Sequence, residues 1–322
     1  MLEARYAHSA SILNNGKVLV VGGYGLNNVL KSAELYDPTT GLWTPTGNMS
    51  IGRYYHTAST LSNGKVLVVG GFNFNADLYD PATGLWTPTG SMNTPRSYHT
   101  ASTLSNGKVL VAGGLDGNTW PVGSAELYDP ATGLWTPTAN MTTGRFFAKA
   151  SILNNGKVLV VGGYGLNDLL YSAELYDPTT GLWTHTGNIT TARSFSTASV
   201  LSNGKVLVVG GSTPNVYLNS AELYDPTTEL WTQIGNMSNG RWHHTASTLS
   251  NGKVLVAGGD NVNTVLNNVE LYDPATGLWT PTANMSIGRY SATASILNNG
   301  KVLIVGGFDY LGGVLNSAEI YG

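Results

Sequence analysis

Four histidines, His8, His56, His99 and His244, each stand three residues after an arginine. Three imidazoles are enough to hold a transition metal, so metal binding is the first chemistry the chain offers. Nucleotide binding is the second. In "GKVLVVGGYGLNN", residues 16–28, an apolar run is followed at once by Gly22, Gly23 and Gly25, and phosphate loops begin with a strand running into such a turn. Hydrolysis is the third: Asp116, Asp168, Asp260 and Asp309 lie in polar stretches, and a pair of carboxylates is the usual acid and base. With no cysteine in the chain, disulfides, thiolate metal sites and cysteine nucleophiles are excluded.

The elements that must position these residues change each reading. Gly-Gly recurs at 22–23, 70–71, 113–114, 162–163, 210–211, 258–259 and 306–307, at intervals of 48, 43, 49, 48, 48 and 48 residues. A period near 50 marks a repeat architecture, and a loop copied seven times is scaffold. Gly23–Asn28 also lacks the third glycine of the dinucleotide fingerprint, and no helical pattern follows it. The four aspartates are single in separate segments, so no acid/base pair emerges. The histidines fall in different repeat units, with Ala148, Ser196 and Ala292 replacing them elsewhere. No local carboxylate pattern completes a coordination sphere, so they are expected between units rather than around an ion. No catalytic, cofactor or metal residue is assigned.

Each unit reads as four short strands. The first, as in His56–Leu61, ends in Asn-Gly, which predicts a two-residue type I′ hairpin. The second, "KVLVV", is apolar throughout and so buried on both faces. The third is "SAELYD". The fourth, "LWTPT", follows an Asp-Pro turn. Such a unit cannot bury two faces alone; seven can if they close into a ring. The expected fold is all-β: a seven-bladed propeller of four-stranded antiparallel blades in one domain over 1–322, with repeats beginning near Arg5, Arg53, Arg96, Arg145, Arg193, Arg241 and Arg289.

In unit two the ordered set is Arg53, Gly70-Gly71, Tyr79-Asp80 and Trp86. This closely resembles the kelch repeat of kelch-type β-propellers and covers essentially the whole chain. In that family the loop face commonly binds partners, and the resemblance implies the same here. Some members are copper oxidases resembling galactose oxidase. They use a cysteine-linked tyrosine radical, which this chain has no cysteine to make. Tryptophan stands in six fourth strands, and the chain stops at "NSAEIYG". Blade seven is therefore expected to have three strands, as a segment of a longer array or an unusual boundary. Ser317–Tyr321 would be an exposed edge available for pairing.

Comparing units within the chain separates scaffold from candidate function. The seven arginines recur with Glu34, Asp77, Glu126, Glu174, Glu222, Glu270 and Glu319. This is read as a structural ion-pair ring, with an anion-binding ring as the alternative. Lys17 and its counterparts are expected beside the Asn-Gly hairpins, on the same face as the Asp-Pro aspartates, as weak surface pairs. Five Asn-x-Ser/Thr sequons, at Asn48, Asn140, Asn188, Asn236 and Asn284, are read as products of repeat copying. The variable positions are the loop after each Gly-Gly and the two residues after each arginine. Strand alternation puts both on one face, around the channel mouth. The candidate ligand-binding face is Tyr6, Tyr24, Tyr54, Tyr55, Phe72, Tyr98, Trp120, Phe146, Phe147, Tyr164, Phe195, Trp242, His243 and Tyr290. Aromatics beside amides and hydroxyls suit a protein, peptide or glycan.

The function expected is a non-enzymatic recognition module without a cofactor. The alternative is a repeat scaffold, natural or engineered, with no specific ligand; a galactose-oxidase-like or hydrolytic enzyme is the third reading. A net charge of −3 from 16 basic and 19 acidic residues gives no basic surface for nucleic acid. No run of about 18 apolar residues predicts a membrane span, and "MLEARYAHSA" lacks the apolar core of a signal peptide. A monomer is expected, either intracellular or secreted with its leader removed.

Overall fold

The computed structural model describes every residue except 263. In blade one, β1 (Ser9–Ile12), β2 (Val18–Val21), β3 (Ala33–Asp37) and β4 (Leu42–Pro45) lie side by side in that order, antiparallel. Five more blades repeat this order. Blade seven has three strands, Thr293–Ile296, Val302–Val305 and Ala318–Tyr321, with a small hairpin pairing Phe308–Asp309 and Gly313–Val314. The innermost strands neighbour one another around the ring, blade seven against blade one included. No helix is present among the described residues.

The apolar second strands explain the ring. Leu19 and Val21 pack with Val66, Val68 and Tyr79 of blade two, while Val18 and Val20 pack with Leu297, Leu303 and Val305 of blade seven. Alternate side chains thus face opposite neighbours. All four residues of β2 are fully buried, and each is worth about 1.5–3 kcal/mol of burial. The fourth-strand tryptophans fasten the outer rim. Trp86 lies against Tyr79 of its own blade, with centroids 5.0 Å apart. Its Nε1 donates to Gly47 O of the preceding blade at 2.7 Å.

The hairpin expectation is corrected. Leu13 N donates to Lys17 O, which leaves a three-residue loop, Asn14-Asn15-Gly16. Only Gly16 has positive φ, +80°. A type I turn closed by a left-handed glycine gives this geometry; Asn15 keeps ordinary φ, and its side chain accepts the Lys17 N–H at 3.1 Å. On the same face the lysines pair with the Asp-Pro aspartates, as Lys17–Asp37 (3.2 Å) and Lys65–Asp80 (3.1 Å) show.

The Gly-Gly pairs sit where blades meet. Gly23 N donates to Arg53 O at 2.7 Å, and the same bond recurs at every seam, through to Gly307 N on Arg5 O at 2.9 Å. A Cβ on Gly22 would stand 2.6 Å from Arg53 O and 2.8 Å from His56 Cε1. The glycine is required by the next blade's backbone and histidine, as well as by its own φ of +63°.

Candidate binding face at the channel mouth

The repeat arginines set the geometry of the mouth. All seven are buried and pair within their own blade with the expected acid, at 2.7–3.1 Å. Arg145 is representative. Its guanidinium also donates to Gly162 O and Ser172 O, clamping the end of the second strand to the start of the third. Glu174 in turn accepts the Thr142 N–H at 2.9 Å from the segment that enters the blade. The sequons gain a physical reason here. Their Ser or Thr serves the same acid, as in Ser50 Oγ to Asp77 at 2.9 Å and Thr190 Oγ1 to Glu222 at 2.8 Å.

Two residues after each arginine the chain adopts a left-handed turn. Ala7, Tyr55, Tyr98, Phe147, Phe195, His243 and Ser291 all have φ between 51° and 55°. Such a conformation is rare for bulky residues and persists only where surroundings enforce it. The enforcement is a chain of backbone bonds from turn to turn: Tyr55 N donates to Ala7 O, Tyr98 N to Tyr55 O, Phe147 N to Tyr98 O, and Ala7 N to Ser291 O, at 3.1–3.2 Å. Five of these side chains form a continuous arc. Centroids are 4.2 Å apart for Tyr55–Tyr98 and Tyr98–Phe147, 3.7 Å for Phe147–Phe195 and 4.1 Å for Phe195–His243. Ser291 and Ala7 leave the remaining sector without rings.

The other variable set joins this arc. In six blades the residue after the arginine bridges to the residue after Gly-Gly, as in Tyr6↔Tyr24, Phe146↔Tyr164 and Tyr290↔Phe308. Ring contacts run from Phe308 to Tyr6, Tyr24, Tyr54, Phe72 and Tyr98, at 5.0–5.8 Å. Trp242 stacks on Tyr217 at 5.3 Å. Trp120 stands apart on its loop, 57% exposed. None of the fourteen candidate side chains is fully buried. Tyr217, Phe308 and Tyr310 belong to the same surface; sequence reasoning passed over them, although each lies in a variable loop.

Electrostatics at the mouth follow from burial. Desolvation, then neighbouring tyrosines, pushes Tyr55 up to about 12. Desolvation also raises Asp260 to about 6, where Tyr310 Oη donates to its Oδ2 at 2.5 Å. The histidines sit in separate seams. His8 bonds Thr293 Oγ1, His99 bonds Thr57 Oγ1 and His244 bonds Thr197 Oγ1, each at 2.9 Å across a blade boundary. Burial, followed by the adjacent arginine, lowers His56 and His99 to about 3, so they are neutral. Among the described residues no three His, Asp or Glu side chains converge as metal ligands.

Comparison with known proteins agrees with this construction. Residues 150–321 match the model described as the KLHDC2/KLHL20/DRC7 Kelch-repeats domain. Residues 5–50, 53–93 and 95–142 match the Kelch motif. No curated protein sequence matches. A similar solved structure is that of a fungal alcohol oxidase of the AA5 family in complex with copper. Its TM-score is 0.79 at 23% identity, over 95% of this chain and 71% of that one. At that identity the likeness concerns the fold alone. The order of arginine, Gly-Gly, Tyr-Asp and tryptophan, the seven seams and both family models lead to one statement: the chain belongs to the kelch-repeat family of β-propellers.

Proposed function

We propose that this propeller is a non-enzymatic recognition module that binds a protein or peptide on the face around the channel mouth. The observation that supports the reading is the connected run of rings on that face, from Phe308 through Tyr6, Tyr24, Tyr54, Phe72 and Tyr98. The opposite face is built from repeated Asn-Gly and Asp-Pro turns. Large, part-exposed aromatics with hydroxyl handles are the anchors that protein interfaces favour. Ring positions fixed by a hydrogen-bonded backbone also lose little entropy on binding.

The test is a peptide and glycan array screen, followed by the triple substitution Tyr54→Ala, Tyr55→Ala and Tyr98→Ala. Ala7 already occupies the left-handed position in blade one, so alanine is compatible with the backbone there. Peptide binding weakened at least ten-fold, with the unfolding transition still cooperative, supports the proposal. Full affinity in the triple variant overturns it. Binding to glycans alone moves the ligand class to carbohydrate, and binding to nothing favours a bare scaffold.

A further inference from the structure

Beneath the aromatic arc the channel holds a cavity of about 290 Å³. At the fourth residue after the arginine, one blade breaks the repeat in its lining. The first strands carry Ser9, Thr57, Thr100, Thr197, Thr245 and Thr293 at equivalent positions, and blade four carries Lys149. In the adjoining blade five, Ser196 stands where four other blades have histidine. The larger side chain and the smaller one are neighbours in the cavity wall.

Lys149 has no acidic partner. No carboxylate among the described residues lies within ion-pair distance of it, and its half-buried side chain lines the cavity. Its surroundings lower its pKa by desolvation alone, and the titratable groups that feel its charge are His243 and His244. Both are held neutral by burial. The cavity lining contains no Asp or Glu. His56 has neither ring nitrogen bonded, and His8, His99 and His244 each leave Nδ1 unpartnered. An ammonium that faces a pocket without a counter-charge is most readily offset by an anion.

We propose that this cavity is a binding site for a small organic carboxylate with a flat apolar body. Lys149 holds the carboxylate, and Tyr98, Phe147 and Phe195 contact the ring. A lone cation among neutral imidazoles and hydroxyls disfavours cations. The ring-lined wall disfavours a naked inorganic ion, whose remaining oxygens would face apolar surface. The volume lies at the small end of ligand pockets and suits on the order of ten non-hydrogen atoms. The site shares Tyr98 with the rim surface, and Lys149, which the rim proposal does not use, tells the two apart.

Benzoate is the probe, benzyl alcohol its neutral counterpart and inorganic phosphate the ionic control. NMR titration of the full chain reads the Lys149 ε-methylene signal and the ring protons of Phe147. Saturable shifts with benzoate, at least ten-fold weaker with benzyl alcohol, are expected. Lys149→Thr installs the side chain of five other blades, so the fold should hold; benzoate affinity should fall at least ten-fold, while any rim partner binds as before. Undiminished benzoate binding in Lys149→Thr overturns the proposal, as does benzyl alcohol binding equally well or phosphate displacing benzoate at lower concentration.

Discussion

Two rings encircle the channel, and they differ in what the repeat holds constant. In the arginine ring both backbone and side chains recur: seven guanidinium–carboxylate pairs at 2.7–3.1 Å, each tied to the same glycine carbonyl. In the mouth ring only the backbone recurs. Seven left-handed turns carry Ala, Tyr, Tyr, Phe, Phe, His and Ser. A buried guanidinium and its carboxylate must each keep the other's charge paired, so their chemistry is fixed. A residue at the mouth satisfies the seam chiefly through its backbone, and its side chain varies.

The arginine ring should give the largest response. Arg145→Met strands Glu174 without its counter-charge and should cost about 3–5 kcal/mol in denaturant unfolding. Arg289→Met should cost less, because the Glu319 side chain is 23% exposed; equal costs would mean that burial does not set the value of these pairs. Next comes Gly22→Ala, which strains a φ of +63° and crowds Arg53 O. About 1–3 kcal/mol is expected, read from the same transition.

Asp260 tests the mouth from the opposite direction. Its carboxyl is raised from 3.8 to about 6 by burial. Between these values the folded chain holds a proton that the unfolded chain has released, so stability falls as pH rises through this window. Asp260→Asn should flatten that fall and add about 1–2 kcal/mol at pH 8; thermal melts from pH 4 to pH 8 would show it. Phe147→Ala, which loses ring contacts but keeps the turn, should cost about 1 kcal/mol. The smallest effect is expected from Lys65→Ala on the uniform face, at or below about 0.5 kcal/mol. A loss at Phe147 matching that at Arg145 would erase the distinction between the rings.

The fold was readable because seven copies of one pattern leave little choice of architecture. Gly-Gly spacing counted the blades, and the apolar second strand showed that each blade is covered on both sides. The rest depended on neighbours about one repeat away. Asp260 is perturbed by burial and by Tyr310, and neither is visible from the local sequence. The left-handed turns leave no mark, since Tyr, Phe and His carry them where glycine would be the usual sign. Gly22 answers to His56 and Arg53 of the next blade, which local turn rules do not include. Lys149 was legible, as the one departure from Ser or Thr at its position, but a list built on aromatic loops overlooked it.

At the inner ring the seam between blades seven and one makes the contacts of the others, from Gly307 N on Arg5 O to His8 on Thr293. At the outer rim, among the described residues, it has no counterpart of the Trp86 and Tyr79 bonds to the end of a preceding fourth strand. The place where the chain is interrupted is therefore arbitrary as far as the inner strands are concerned. A circular permutant opened at the turn around Gly156 should assemble the same seven blades. If its new joint copies residues 37–48 between Gly322 and Met1, the unpaired edge at Ala318–Tyr321 would receive a strand of the kind every other blade possesses. The order in which blades are synthesised would then differ from the parent while their final neighbours stay the same.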